Sequence, residues 1–167
     1  DANPELENAL KKSGKIDQVK MVQNILPKGV ECIFVRQAKQ LGLGHAVLCA
    51  ERVVGNEPFA VLLADDFIIC SNKGVTSQLV EGYETTGKSQ LSVMTVADHD
   101  LNKYGVVKIG SKSNSVEGLI EKPLLKDAPS NLVSIGRYIL TPDIFSTLRN
   151  QSTGVDGEIQ LADAINT

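Results

Sequence analysis

Residues 58–66 read PFAVLLADD: a proline, six apolar residues in a row at 59–64, then two carboxylates, Asp65 and Asp66. An unbroken apolar run of this length has the pattern of a strand buried on both faces, because one-sided burial would alternate apolar with polar residues. Downstream, Val75, Leu79, Val80 and Tyr83 recur at helical spacing up to Gly87, and QLSVMTVA at 90–97 reads as the next strand. Upstream, ECIFVR at 31–36 is β-branched and aromatic and also reads as a strand; a loop at 41–44 then gives way to a helical stretch, 45–54, closed by Gly55. Strands alternating with helices predict an α/β fold of Rossmann-like type, with a mainly parallel sheet flanked by helices. Past Asp98 the sheet becomes mixed: GVVKIG at 105–110, the polar turn SKSN at 111–114 and SVEGLIE at 115–121 form a hairpin, and LVSIGRYIL at 132–140 adds a further strand.

The flanks follow the same local rules. Asn3, Pro4, Glu5 and Glu7 set out an N-cap, a first-turn proline and first-turn acids, and Lys11, Lys12 and Gly14 close a short helix. Ile16, Val19, Val22, Ile25 and Leu26 mark a second, ended by Pro27 and Gly29. Thr141, Pro142 and Asp143 open a helix whose buried face is Ile144, Phe145 and Leu148, and one more begins across 158–165. The chain starts at Asp1 without methionine and stops at Thr167 with the apolar pattern still running, so the expectation is one domain, 1–167, incomplete at both ends.

With 167 residues, 42% apolar and 22% charged, the chain has ordinary globular composition and one core rather than two. Twenty acidic against seventeen basic residues give a net charge of −3, which offers no footprint for nucleic acid or an anionic membrane. The longest apolar run is far below the roughly 20 residues needed to span a bilayer. Cys32, Cys49 and Cys70 are odd in number, show no C-x-x-C spacing and lie in or beside apolar runs, which points to a reducing, cytoplasmic setting.

Two glycine motifs invite a phosphate reading. Residues 82–89, GYETTGKS, fit the pattern of a phosphate loop, but such a loop must leave a strand and open a helix so that the helix N-terminus meets the anion. Here the match follows a helical stripe and precedes a strand, which makes Gly87 a helix-ending glycine with Lys88 near the negative helix end. The pair Gly42 and Gly44 lacks the third glycine of a dinucleotide fingerprint, since Val47 occupies that position. Close approach of a ligand to the backbone and a merely flexible loop both account for it.

In open α/β sheets ligands sit beyond the carboxyl ends of strands, where 37–44 and Asp65–Asp66 both fall. A carboxylate there can hold Mg²⁺ against a nucleotide phosphate, because Mg²⁺ takes hard oxygen ligands and binds through one or two carboxylates plus phosphate. Acids of an ordinary turn account for the same pair. Taken together, VRQAKQLGLGHAVLCAERVVGNEPFAVLLADD, KYGVVKIG, GLIEKP, SNLVSIGRYILTPDIF and DGEIQLADAI resemble the bacterial UTP–glucose-1-phosphate uridylyltransferases, or UDP-glucose pyrophosphorylases, of the sugar nucleotidyltransferase superfamily. The resemblance is strong from about residue 31 to residue 165, and Arg36-Gln37, Gly42-Leu43-Gly44-His45 and Glu121-Lys122-Pro123 carry its specificity.

The resemblance implies an Mg²⁺-dependent transfer of a uridylyl group from UTP to glucose 1-phosphate, giving UDP-glucose and pyrophosphate without a covalent enzyme intermediate. It assigns Gln37 and the backbone of Gly42 to the uracil edge, Asp65 rather than Asp66 to Mg²⁺, Gly105 and Glu121 to the hexose, and Lys122 to the sugar phosphate, with Gly136 on a pocket strand. Asp65 and Lys122 are then the expected catalytic groups, acting by positioning and charge neutralisation. His45 reads as a packing residue at a helix start, and a homo-oligomer is implied by analogy. Ala64 stands where members commonly have proline, and the family's N-terminal glycine-rich triphosphate loop and later metal aspartate are not among the 167 residues. An internal portion of the catalytic domain, inactive alone, is therefore expected. Three alternatives stay open: a thymidylyl- or adenylyltransferase for a sugar 1-phosphate, an NTPase using residues 82–89, and a noncatalytic nucleotide-sugar binding module.

Overall fold

The computed structural model describes residues 3–112, 114–154 and 157–166. The chain divides into two compact units, Asp1–Arg36 and Gln37–Thr167. In the first, α1 (Pro4–Lys12) begins as its sequence requires: the Asn3 side chain accepts from the backbone N–H of Leu6 at 3.0 Å, and Pro4 follows in the first turn. A second helix, α2 (Ile16–Gln23), is tied to it by Gln23 Nε2, which donates to the buried Glu7 carboxylate at 2.6 Å.

Residues 31–36 form no strand, against expectation. β-propensity describes how a side chain suits a pleated, half-buried surface, and a strand exists only where a second one completes its ladder. Here Phe34 is 82% exposed.

The second unit holds β1 (Phe59–Leu62), β2 (Gln90–Thr95), β3 (Gly105–Ile109), β4 (Val116–Glu121) and β5 (Leu132–Leu140). Helices α3 (Gly42–Cys49) and α4 (Glu51–Val54) precede β1, α5 (Val75–Thr86) links β1 to β2, and α6 (Asp143–Asn150) and α7 (Leu161–Ile165) follow β5. A sheet flanked by helices is thus present, with the expected β3–β4 hairpin, although Ser113 of its turn lies outside the described residues.

The mainly parallel pairing is not what forms: every strand pair is antiparallel, in the order β1-β5-β3-β4 with β2 also on β5. β1 and β2 run in the same direction, as a strand–helix–strand unit should, but β5 inserts between them and is antiparallel to both. Nothing local in β1 or β2 encodes that insertion. β1 is also covered on one face only: Phe59 and Val61 pack on the core, while Leu62 on the other face is 55% exposed.

The core lies against β5. Tyr138 and Leu140 pack with Val47 of α3, Ile144, Phe145 and Leu148 of α6, and Leu161 and Ala164 of α7; Phe59 stacks on Phe145 with ring centroids 5.0 Å apart. A smaller cluster of Leu101, Val106 and Val133 fills beneath the hairpin. The β2–β5 register shifts between Leu91 and Val93, and the buried Ser92 hydroxyl fills the irregularity by donating to the carbonyls of Ile135 and Arg137.

Candidate functional site

Beyond the ends of β1 and β4, beside the start of β3 and across the face of β5, the second unit encloses a cavity of about 360 Å³. Of the residues singled out by sequence, Asp65, Gly105, Glu121, Lys122 and Gly136 line it. Gln37 and Gly42 do not, although Leu43 beside them does.

Asp65 and Asp66 follow β1 in a turn, and both face the cavity. Strand alternation, which would turn neighbouring side chains to opposite faces, stops at Leu62, so it does not separate Asp65 from Asp66. Arg137 of β5 holds this turn in place: Nη1 donates to Leu63 O at 2.9 Å and Gly136 O at 2.8 Å, and Nη2 to Asp66 O at 2.6 Å. Gly136 is where the turn meets the strand. A Cβ there would lie 2.8 Å from Leu63 Cβ and collide with the Asp66 carboxylate, so the glycine admits Asp66 to the wall.

Gly105 and Glu121 are cross-strand partners at the open end of the hairpin. A Cβ at Gly105 would sit 3.2 Å from Glu121 Oε2, so its bareness leaves room for that carboxylate. Next to it Lys122 has φ +42°, a left-handed backbone that a non-glycine residue adopts at a cost of about 1–3 kcal/mol, and its N–H donates to Tyr104 O at 3.0 Å. Pro123, which disfavours right-handed helical geometry at the preceding residue, and the Tyr104 bond together hold Lys122 in this turn at the mouth of the cavity.

Sequence reasoning missed part of the wall. Ser134 and Tyr138 share the β5 face of Gly136 at period two, which could have flagged them once Gly136 was suspected. Glu158 and Gln160 come from an extended stretch where a helix was expected; the helix starts only at Leu161. The extended stretch is held by Ile159, whose N–H donates to Leu41 O at 2.8 Å and whose carbonyl accepts from Gly44 N–H at 2.9 Å. Gly42 (φ +86°) and Gly44 serve a close approach of protein: a Cβ on the first would come within 2.8 Å of Glu158 Cβ, and on the second within 2.6 Å of Ile159 O.

Burial raises the Glu121 carboxyl above its ordinary range, opposed by Lys122 and reinforced by the charges of Asp163 and Glu158. Tyr138, buried at 8% exposure, is also pushed up by desolvation, against the hydrogen bond that Ser134 Oγ donates to it at 2.9 Å. Its phenol stays a neutral hydroxyl in the wall. Among the described residues no group of three or more His, Cys, Asp or Glu side chains is arranged to hold a metal ion. The adjacent Asp65 and Asp66 suit an ion that takes one or two protein carboxylates and fills its remaining sites with ligand and water oxygens, which is the habit of Mg²⁺.

Residues 82–89 do not form the strand–loop–helix turn of a phosphate loop. Gly82 lies inside α5, and Gly87 ends that helix in the left-handed conformation with its N–H on Tyr83 O at 2.7 Å. Ser89 Oγ instead accepts from Thr141 N–H at 3.1 Å.

Residues 3–166 match the nucleotidyl transferase family. Over its whole length the chain is 44% identical to UTP–glucose-1-phosphate uridylyltransferase 2 of Streptococcus pyogenes serotype M3, of which it spans 58%. Among solved structures, a UDP-glucose pyrophosphorylase from Acinetobacter baumannii aligns with 99% of the chain at 40% identity and a TM-score of 0.84, and the chain spans 59% of it. A UDP-glucose pyrophosphorylase complexed with UDP-glucose aligns with 99% at 39% identity and a TM-score of 0.80, with 61% of that protein spanned. A family match over nearly every residue, joined to likeness in both sequence and fold, makes the chain a member of the nucleotidyl transferase family.

Proposed function

We propose that this chain carries the uridine- and sugar-holding part of a uridylyltransferase that makes UDP-glucose from UTP and glucose 1-phosphate in the cytoplasm. The observation that supports it most is the meeting of Asp65, Gly105, Glu121 and Lys122 from three separate strand ends in one cavity. Names and complexes of the similar proteins point the same way.

In this reading Glu121 accepts from hexose hydroxyls, and Gly105 keeps the backbone bare where the ring lies. Lys122 pairs with the sugar phosphate and lowers the cost of bringing that anion to a second one. An oxygen of the sugar phosphate attacks the α-phosphorus of UTP; the bond from that phosphorus to the β-phosphate bridging oxygen breaks, and pyrophosphate leaves with the electron pair. Asp65, with Asp66 beside it, would hold Mg²⁺, which supplies charge neutralisation at the phosphates. No side chain is needed as nucleophile, and the contribution of the chain is alignment and electrostatics.

Titration of UDP-glucose into this chain by calorimetry tests the assignment. Lys122→Ala should weaken binding by about tenfold or more, as expected for loss of a charge-assisted bond, while Lys88→Ala leaves it unchanged. Equal affinity in Lys122→Ala and the parent would sink the reading.

A further inference from the structure

The charged groups of the cavity wall are mostly acidic, and its cations stand together. Among the described residues of the wall, Lys103 and Lys122 are the basic ones, against Asp65, Asp66, Glu121 and Glu158. The bond from Lys122 N–H to Tyr104 O carries the β3–β4 pairing one step beyond Gly105 and Glu121. Lys122 therefore lies opposite Tyr104, the chain neighbour of Lys103, and each side of the hairpin's open end brings one lysine to the same cavity.

Lys103 lines the cavity, yet its ammonium is held by a residue that does not: Nζ donates to Asp100 Oδ1 at 2.6 Å. The two side chains are three positions apart on a short 3-10 turn, Asp98–Lys103, and that of the lysine is 64% exposed. Water screens such a pair, so it is readily exchanged for a stronger one. Asp100 keeps a neighbour when the lysine departs, since His99 Nε2 lies 3.4 Å from its other oxygen. A phosphate monoester carries about two negative charges near neutral pH, and at equal distance it attracts an ammonium about twice as strongly as one carboxylate does.

We infer that Lys103 is a second anion-binding residue of the cavity, which leaves Asp100 to close with Lys122 on the dianionic phosphate of a sugar 1-phosphate. Asp100 is then a competitor that holds the ammonium while no phosphate is bound. This deepens the uridylyl reading and rests on it, since there Lys122 holds the sugar phosphate.

The test is an NMR titration of glucose 1-phosphate into the full chain at about pH 8, where the phosphate is a dianion, and at constant ionic strength. It compares the parent, Lys103→Ala, Asp100→Asn, the double variant and Lys122→Ala. Lys103→Ala should weaken binding about fivefold and Asp100→Asn should tighten it about twofold, while Asp100→Asn adds nothing once Lys103 is gone. Tightening that persists without Lys103 would be a general effect of the removed charge, and it overturns the inference. Parental affinity in Lys103→Ala, or no tightening in Asp100→Asn, overturns it as well; weakening in Lys122→Ala then leaves the uridylyl reading standing. A parent chain that binds no glucose 1-phosphate, or a Lys122→Ala variant that binds it as the parent does, overturns the uridylyl reading and this inference with it.

Discussion

Single residues in this cavity are set where ordinary preference would not put them, and Glu121 shows what that implies. Its carboxyl is raised above the ordinary glutamate range by burial. The folded chain therefore keeps that proton to a higher pH than the unfolded chain, and the associated stability, full below the unfolded value, is lost as pH rises through the folded one. Glu121→Gln removes the charge that causes the loss. Its melting temperature should exceed that of the parent at pH 7 by on the order of 1–2 °C, given solvent screening at the cavity mouth, and the difference should close as pH falls below the ordinary carboxylate range. A difference that grows on acidification would contradict the assignment. Glu121, Lys122 and Asp65 were legible in the sequence because each sits at a strand end inside a distinctive motif. Tyr138 was legible only through its strand period from Gly136, and Glu158 was not, since only tertiary packing turns it toward the same space.

Among the elements, β5 does the most to organise the site. Its Ser92-filled irregularity with β2 fixes the register on one side, and on the other Arg137 reaches across to the turn that carries Asp65 and Asp66. A lysine ammonium, as a point charge without the planar fork, lacks the two spaced nitrogens with which Arg137 meets Leu63 O and Asp66 O. Arg137→Lys should cost about 1–2 kcal/mol in urea denaturation and speed amide exchange across residues 63–66, with exchange in the β3–β4 hairpin unaffected. Uniform acceleration across both regions would mean that Arg137 supports the sheet as a whole instead of the turn. Helices α1, α5 and α6 and the hairpin could be read from the chain because caps, periodicity and turn residues are local signals. The direction of pairing could not, because it depends on where a strand some 40 to 70 residues further along is inserted, and the overestimate at 31–36 has the same origin: a favourable strand sequence carries no information about a partner.

At the scale of the molecule the balance of charge bears on ligand binding. The chain carries a net −3, and the cavity wall repeats the sign with Asp65, Asp66, Glu121 and Glu158 against Lys103 and Lys122. An anionic nucleotide sugar brought to such a wall is repelled unless a cation intervenes. UDP-glucose affinity for this chain should therefore rise at least tenfold on adding Mg²⁺ and return to its starting value with EDTA, measured at constant ionic strength. Binding indifferent to Mg²⁺ would remove the metal from the account. The central place of β5 has a further consequence during synthesis. β1 and β2 leave the ribosome long before the strand that lies between them has been translated, so neither ladder on β5 can close until residues 132–140 emerge. Until then the apolar stretch that begins at Phe59 is without its native strand partner, and the order of translation makes the last-made of these five strands the one on which the earlier two must wait.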